Sequence, residues 1–168
     1  MTIVLSVDFD GIGGYQRKYI MSKILNATFE TTAHVYDHCL CFAAQRAARA
    51  LARRFDEALS PLGLTSGQFS LLTSLNQPEA PAMGAIAALL VMDRTTLTAN
   101  LKPLEQRGLV EIAIDAADRR VRRLILTPRG RRMLQSALPI WVEVHGEIDK
   151  SMPVSDGRAL RRGLRALA

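Results

Sequence analysis

Met92-Asp-Arg-Thr-Thr-Leu-Thr-Ala-Asn-Leu-Lys-Pro-Leu-Glu-Gln-Arg-Gly-Leu-Val110 leads into an arginine-rich hairpin that ends at Leu126-Thr-Pro-Arg-Gly130. Asp93 is placed to cap a helix whose buried stripe is Leu97, Leu101 and Leu104, and Gly108 stands at its stop position. Residues 109–114 and 121–126 alternate as two strands, and the tip between them, residues 115–120, is polar and basic. Thr127 and Pro128 then open another helix, with proline in the first turn where its missing amide costs nothing. A capped helix followed at once by a charged two-stranded ribbon suits the major groove of DNA and its flank. The segment therefore predicts a DNA-binding regulator rather than an enzyme.

Charge points the same way. The 168-residue chain carries a formal charge of +6. Between Arg94 and Arg132 lie 10 basic and 4 acidic residues, so this segment alone accounts for the excess. A basic patch confined to one helix and the hairpin after it is an electrostatic footprint for phosphate. The plain alternative, a solvated charged face, does not explain why the charges coincide with the motif.

Outward from this segment the pattern is helical. Residues 32–59 read as one long helix, with Val35, Cys39, Phe42, Arg46, Leu51, Phe55 and Leu59 recurring through an alanine-rich run. Thr65-Ser-Gly-Gln68 is a capping box before Phe69, Leu71, Leu72 and Leu75. Residues 82–90 form a short helix with Ile86, Leu89 and Leu90 expected to face inward. The helix after Thr127 carries Met133, Leu134, Leu138, Ile140, Trp141, Val144 and Ile148, and Pro139 should kink it. A last helix after Ser155 shows Leu160, Leu164 and Leu167 on one stripe. These terminal helices hold more apolar surface than a winged helix can cover, which calls for a second copy of the chain.

Residues 1–31 read as a poorly defined extension, with a possible strand at 3–7 and a glycine turn at 10–14. They lack the basic leader and cleavage site of a signal peptide. No run reaches the ~18 apolar residues that span a membrane. Cys39 and Cys41, two apart on the supposed long helix, should point to different sides and not bridge, which suits a reducing cytoplasm.

Taken in order, Leu64-Thr-Ser-Gly-Gln-Phe-Ser-Leu-Leu72, Met92-Asp-Arg-Thr-Thr-Leu-Thr98, Leu104-Glu-Gln-Arg-Gly-Leu-Val110, Asp118-Arg-Arg120 and Leu126-Thr-Pro-Arg-Gly130 resemble the MarR family of bacterial transcription regulators. The resemblance covers about residues 35–150. It implies a mostly α fold with a small β-hairpin wing: a winged helix-turn-helix at 61–127, between dimerisation helices at 32–60 and 128–168. It further implies a homodimer binding double-stranded DNA at a pseudo-palindromic operator and acting as a repressor. In the family, the arginine matching Arg120 enters or lines the minor groove, and the aspartate matching Asp118 helps hold the wing.

Candidate DNA contacts follow from side-chain chemistry. Arg94, Thr95, Thr96, Thr98, Asn100 and Lys102 lie on the recognition helix, and Arg119, Arg120 and Arg122 lie on the wing. Threonine suits phosphate and base edges, arginine and lysine suit guanine or phosphate, and asparagine suits adenine. Asn100 is equally well read as solvated. Of Arg122 and Arg123, alternation sends one outward and one toward a neighbouring helix. Pro103 should bend the recognition helix without abolishing it.

Three signals compete to control such a regulator. The family resemblance implies a small aromatic or phenolic effector. Leu40-Cys41-Phe42 resembles the sensor motif of organic-hydroperoxide-responsive members, with Cys41 as the oxidised thiol. Ser66 and Phe69, however, replace the partner tyrosines, no C-terminal cysteine is available, and a small buried hydrophobe explains either cysteine as well. His34, His38 and Cys41, at i, i+4 and i+7, form a weak candidate metal set. No cofactor is expected. A winged helix acting as a protein-interaction module is the alternative from another class. No phosphate loop, nucleophile elbow or acid pair suggests an enzyme.

Overall fold

The computed structural model describes residues 27–152 and 156–167. The strand and turn expected at 3–7 and 10–14 lie outside the described residues. The chain divides into two compact units at Arg49/Ala50. Helix α1, Phe29–His38, is capped by Thr28, whose hydroxyl accepts from the Thr31 amide at 3.3 Å. Helix α2 is Leu40–Leu59.

The expected continuous helix is therefore broken at Cys39, which is extended (φ −78°, ψ 108°). The break costs little because Cys39 serves both helices. Its amide donates to Val35 O at 2.9 Å, its carbonyl accepts from Ala43 N at 3.0 Å, and its sulfur accepts from the Phe42 amide at 3.4 Å. Two expectations fall with the continuous helix. His34, His38 and Cys41 do not share one helical face. The spacing argument against a Cys39–Cys41 bridge also assumed an unbroken helix and no longer applies. Both cysteines are free thiols, Cys41 exposed and Cys39 partly so.

The second unit carries the core. A 3-10 turn, Ser60–Leu62, closes with Gly63 in the left-handed region. Helix α3, Ser66–Leu75, begins with the predicted capping box: the Thr65 hydroxyl accepts from Gln68 N and Gln68 Oε1 accepts from Thr65 N, both at 3.2 Å. Helix α4 is Met83–Leu89, with Ile86 and Ala87 buried. Leu89, expected inward, is 60% exposed. At ~100° per residue the inward arc of Ile86, Ala87 and the partly buried Leu90 centres on Leu90, which leaves Leu89 on the flank. Val91 turns the chain at φ +50°, a strained conformation for a β-branched residue.

Helix α5, Arg94–Gln106, runs through Pro103 as expected and ends at Gly108 (φ +66°). Its leucine stripe, Leu97, Leu101 and Leu104, is fully buried, each side chain contributing roughly 1.5–3 kcal/mol. Strands β1, Val110–Ile114, and β2, Arg122–Leu126, pair antiparallel from Val110 with Leu126 to Ile114 with Arg122. The hairpin is pinned on its far edge, where Leu124 N donates to Pro81 O at 2.9 Å and Arg123 bridges to Ala82. Helix α6, Pro128–Lys150, is continuous through Pro139, and α7 is Asp156–Ala166. The core joins Leu59, Leu64, Leu72, Leu109, Leu124 and Leu134 to the α5 stripe.

The start of α6 sits hard against the end of the recognition-helix turn. A Cβ on Gly130 would lie 2.1 Å from Leu109 O and 2.7 Å from Leu126 Cδ1. Gly130→Ala should therefore cost about 2 kcal/mol or more, since backbone must shift to admit the methyl. The expected result is a thermal midpoint lowered by several degrees; an unchanged midpoint would contradict the close approach.

Candidate nucleic-acid interface

Burial of the leucine stripe turns the opposite face of α5 to solvent. Arg94, Thr95, Thr96, Thr98 and Lys102 are exposed and Asn100 is partly so. Arg94, Thr98 and Lys102, four apart, form one row along the helix. Several of the polar groups already have partners. Asp93 accepts from the Thr96 amide at 2.8 Å and from the Thr96 hydroxyl at 2.7 Å. These bonds, the backbone one foremost, hold the Asp93 carboxyl below its ordinary pKa. The Thr98 hydroxyl donates to Arg94 O at 2.7 Å, and the Asn100 amide donates to Thr96 O at 3.0 Å.

The wing is built on two aspartates with different tasks. Asp115 Oδ1 accepts from the amides of Ala117 and Asp118, at 2.8 and 2.9 Å, closing the tip. Its Oδ2 accepts from Arg123 Nε at 2.6 Å, and Arg123 in turn donates to Ala80 O at 3.1 Å. The hairpin is thereby tied to the loop before α4. The inward-pointing arginine is Arg123, and its partner is this loop rather than a helix. Asp118 binds only across the tip: its carboxylate accepts from Arg120 Nε at 3.1 Å and Arg120 Nη2 at 3.0 Å, and from the Arg120 amide at 3.0 Å. The pairing lowers the Asp118 pKa and raises that of Arg120. Arg119 and Arg122 are exposed, with Arg122 donating to Arg119 O at 3.0 Å.

Wing and recognition helix meet at a cleft of about 190 Å³. Arg94 from α5 and Arg120 and Arg122 from the wing line it, over Met83 and Gly84 of α4. The structure thus gathers three candidates from two elements. Thr96 is held in the helix cap, while Lys102 and Arg119 lie outside the cleft lining. Sequence reading missed the supports, Asp115 and Arg123. It also missed Arg107, which donates to Leu62 O at 2.9 Å and to Gly63 O, holding the turn before α3. The only sequence cue for Asp115 was an aspartate opening a tight polar tip.

The other candidates lie in the first unit. His34 and His38 stack at 4.0 Å, and a ring nitrogen of His38 bonds His34 O. Among the described residues no three His, Cys, Asp or Glu side chains group as a metal site, so the weak metal set is not assembled. The Cys41 sulfur accepts from Gln45 Nε2 at 3.2 Å.

The MarR family profile matches residues 64–121. The structure of the transcriptional regulator MosR of M. tuberculosis in complex with DNA is 39% identical, with a TM-score of 0.70, over 77% of this chain and 93% of that one. The chain belongs to the MarR family. CouR of Rhodococcus jostii, a repressor solved on a 23-mer DNA duplex, is 28% identical with a TM-score of 0.71, over 79% of this chain and 94% of that one. CouR has also been solved with p-coumaroyl-CoA. The HTH-type regulator TtmR of Methylorubrum extorquens is 36% identical over 118 residues, 70% of this chain but only 58% of TtmR. The chain therefore spans less than two thirds of that curated relative. No helix among the described residues is long and apolar enough to cross a membrane.

The wing lock has an acid limit. Hydrogen bonds from the Asp118 amide and from Arg123 hold the Asp115 carboxyl at a pKa of about 2, below the ordinary 3.8. A depressed carboxylate contributes stability that is present above its unfolded pKa and lost as pH falls through the folded one. The tip amides of Ala117 and Asp118 should therefore stay protected from hydrogen exchange at pH 5 and lose protection between roughly pH 4 and 2. Loss of protection at neutral pH would show that Asp115 does not hold the tip.

Proposed function

We propose that this MarR-family protein is a DNA-binding transcription regulator, acting as a homodimeric repressor in the cytoplasm. The observation that carries the reading is the convergence of Arg94, Arg120 and Arg122 on one cleft between recognition helix and wing. Relatives solved on DNA, MosR and CouR, support it. The helix row of Arg94, Thr98 and Lys102 enters a major groove, and Arg119, Arg120 and Arg122 reach phosphate and the adjacent minor groove. Thr95 and Asn100 flank that row, and the Thr96 hydroxyl stays with the cap.

Residues 61–127 form the reading head, and the flanking helices form dimerisation arms. Exposed apolar side chains support this division: Phe29, Val35, Leu40 and Phe42 near one end, and Leu138, Trp141, Val142, Leu160 and Leu164 near the other. A second copy covers these faces and sets two recognition helices about one helical turn of DNA apart. Release comes from a small aromatic or phenolic effector, a reading supported by CouR, which binds p-coumaroyl-CoA. The exposed Cys41 thiol beside the Cys39 break favours a second reading, in which oxidation triggers release.

The deciding experiment is a gel shift on the DNA upstream of the protein's own gene, with reduced and oxidised protein. A shift that weakens with salt is expected. Arg120→Ala should weaken binding by roughly tenfold while leaving the dimer intact; unchanged affinity would refute its role. Any release by peroxide should disappear in Cys41→Ser, and a response that survives the substitution removes Cys41 as its origin.

A further inference from the structure

The arginine cleft holds an imbalance. Three arginines line it, and one of them, Arg120, is bound to the Asp118 carboxylate. Arg122 is engaged by a carbonyl, and Arg94 has no ion pair among the described residues. Beneath them Gly84 has open space where a side chain would stand, with no atom within 4 Å of an added Cβ. At about 190 Å³ the opening admits a phosphate group with room to spare.

Asp118 meets Arg120 in the manner of a phosphate. Nε and Nη2 each donate to a different oxygen, at 3.1 and 3.0 Å, which is the two-pronged geometry that guanidinium offers a phosphodiester. The backbone beneath the carboxylate is fixed. The Asp118 amide is held by Asp115, which is itself held by Arg123. The arginine is free to leave, however, because its side chain is 90% exposed. An ion pair this open is worth at most about fivefold in an equilibrium. It is strong enough to bias Arg120 and weak enough to be exchanged.

We propose that Asp118 is a built-in competitor for DNA phosphate. It occupies the Arg120 fork in the free protein and is displaced when a backbone phosphodiester seats in the Arg94–Arg120–Arg122 cleft. The inference rests on the DNA-binding reading above. It assigns Asp118 a role opposite in sign to that of a holder. A holder presents Arg120 to DNA, so removing its charge weakens binding. A competitor taxes every phosphate contact made by the wing, so removing its charge strengthens binding. It also flattens the salt dependence, because a carboxylate beside the site cancels one of the positive charges that the wing presents to phosphate and so lowers the number of counterions released from DNA. The tax falls on all duplexes alike and keeps a basic wing from lodging on bulk DNA.

The test uses the full chain and a fluorescent duplex of random sequence, titrated by anisotropy at several salt concentrations. Asp118→Asn keeps the shape and removes the charge. It should bind random duplex about three- to fivefold tighter, with a log–log salt slope steeper by about 1. In the Arg120→Ala background the same substitution should give no gain. Equal or weaker binding by Asp118→Asn, with wild type still binding duplex, overturns the competitor role and leaves the DNA reading standing. Failure of both folded proteins to bind any duplex, judged by circular dichroism and anisotropy together, overturns the DNA reading and this inference with it.

Discussion

One joint fixes the geometry on which the rest depends: the contact between the turn after the recognition helix and the start of α6. The Thr127 hydroxyl donates to Gly108 O at 2.8 Å, and the Thr127 amide donates to Leu109 O at 3.1 Å. The same hydroxyl accepts from Gly130 N at 3.0 Å as the helix cap. Gly130 then passes so close to Leu109 that only a hydrogen fits. Recognition helix, hairpin base and α6 therefore leave a single point at set angles. Because the point is made from backbone groups and one hydroxyl, it carries no loose side-chain torsion. A wing mounted there keeps its distance from α5 to within the play of its own tip.

The tip has a support of its own. Asp115 and Arg123 are partly shielded, and their bond continues to the carbonyl of Ala80, so the hairpin is held at its base by Thr127 and near its end by a carboxylate. This pair is structural, and its hydrogen bond, short and between charged groups, is of the strong kind. Asp118 and Arg120 lie outward of it, in solvent, where charge is cheap to re-pair. The wing thus separates charges that set its shape from charges available to a partner. Recognition-helix chemistry is divided in the same way. Thr96 and Asn100 bond back to their own helix, while the side chains of Arg94 and Lys102 stay outward.

Much of this was legible because it is local. Caps at Thr65, Asp93 and Thr127, the stop at Gly108 and the leucine stripe of α5 each rest on residues within a turn or two of one another, and the structure matches them. The break at Cys39 was not legible. The surrounding run is rich in alanine with no glycine or proline, and the cap is a thiol, a side chain outside the Ser, Thr, Asp and Asn set that marks helix starts. The support at Arg123 failed for a different reason. Strand alternation correctly turned one arginine inward, but its acceptor, Ala80 O, is 43 residues upstream. Its position follows from the core that packs α4 against the hairpin, and no local spacing encodes that.

Helix α6 connects the two ends of the problem. Its first turn belongs to the joint at Leu109, and its further half carries Leu138, Trp141 and Val142 in the open. At 1.5 Å per residue its 23 residues make a rod of about 35 Å. The rod places those exposed side chains and the Leu109 joint on one continuous helix. Pro139 lies between the two halves. Lacking an amide, it leaves the Gln135 carbonyl without its usual donor and relaxes the helix midway. The near half is meanwhile anchored by Leu134 and Ala137 in the core. Bending at Pro139 is then cheaper than moving the joint. The first half of α6 is thus fixed by the core and by the joint at Leu109, while the half that carries the exposed apolar side chains lies beyond the one residue that cannot donate a helix hydrogen bond.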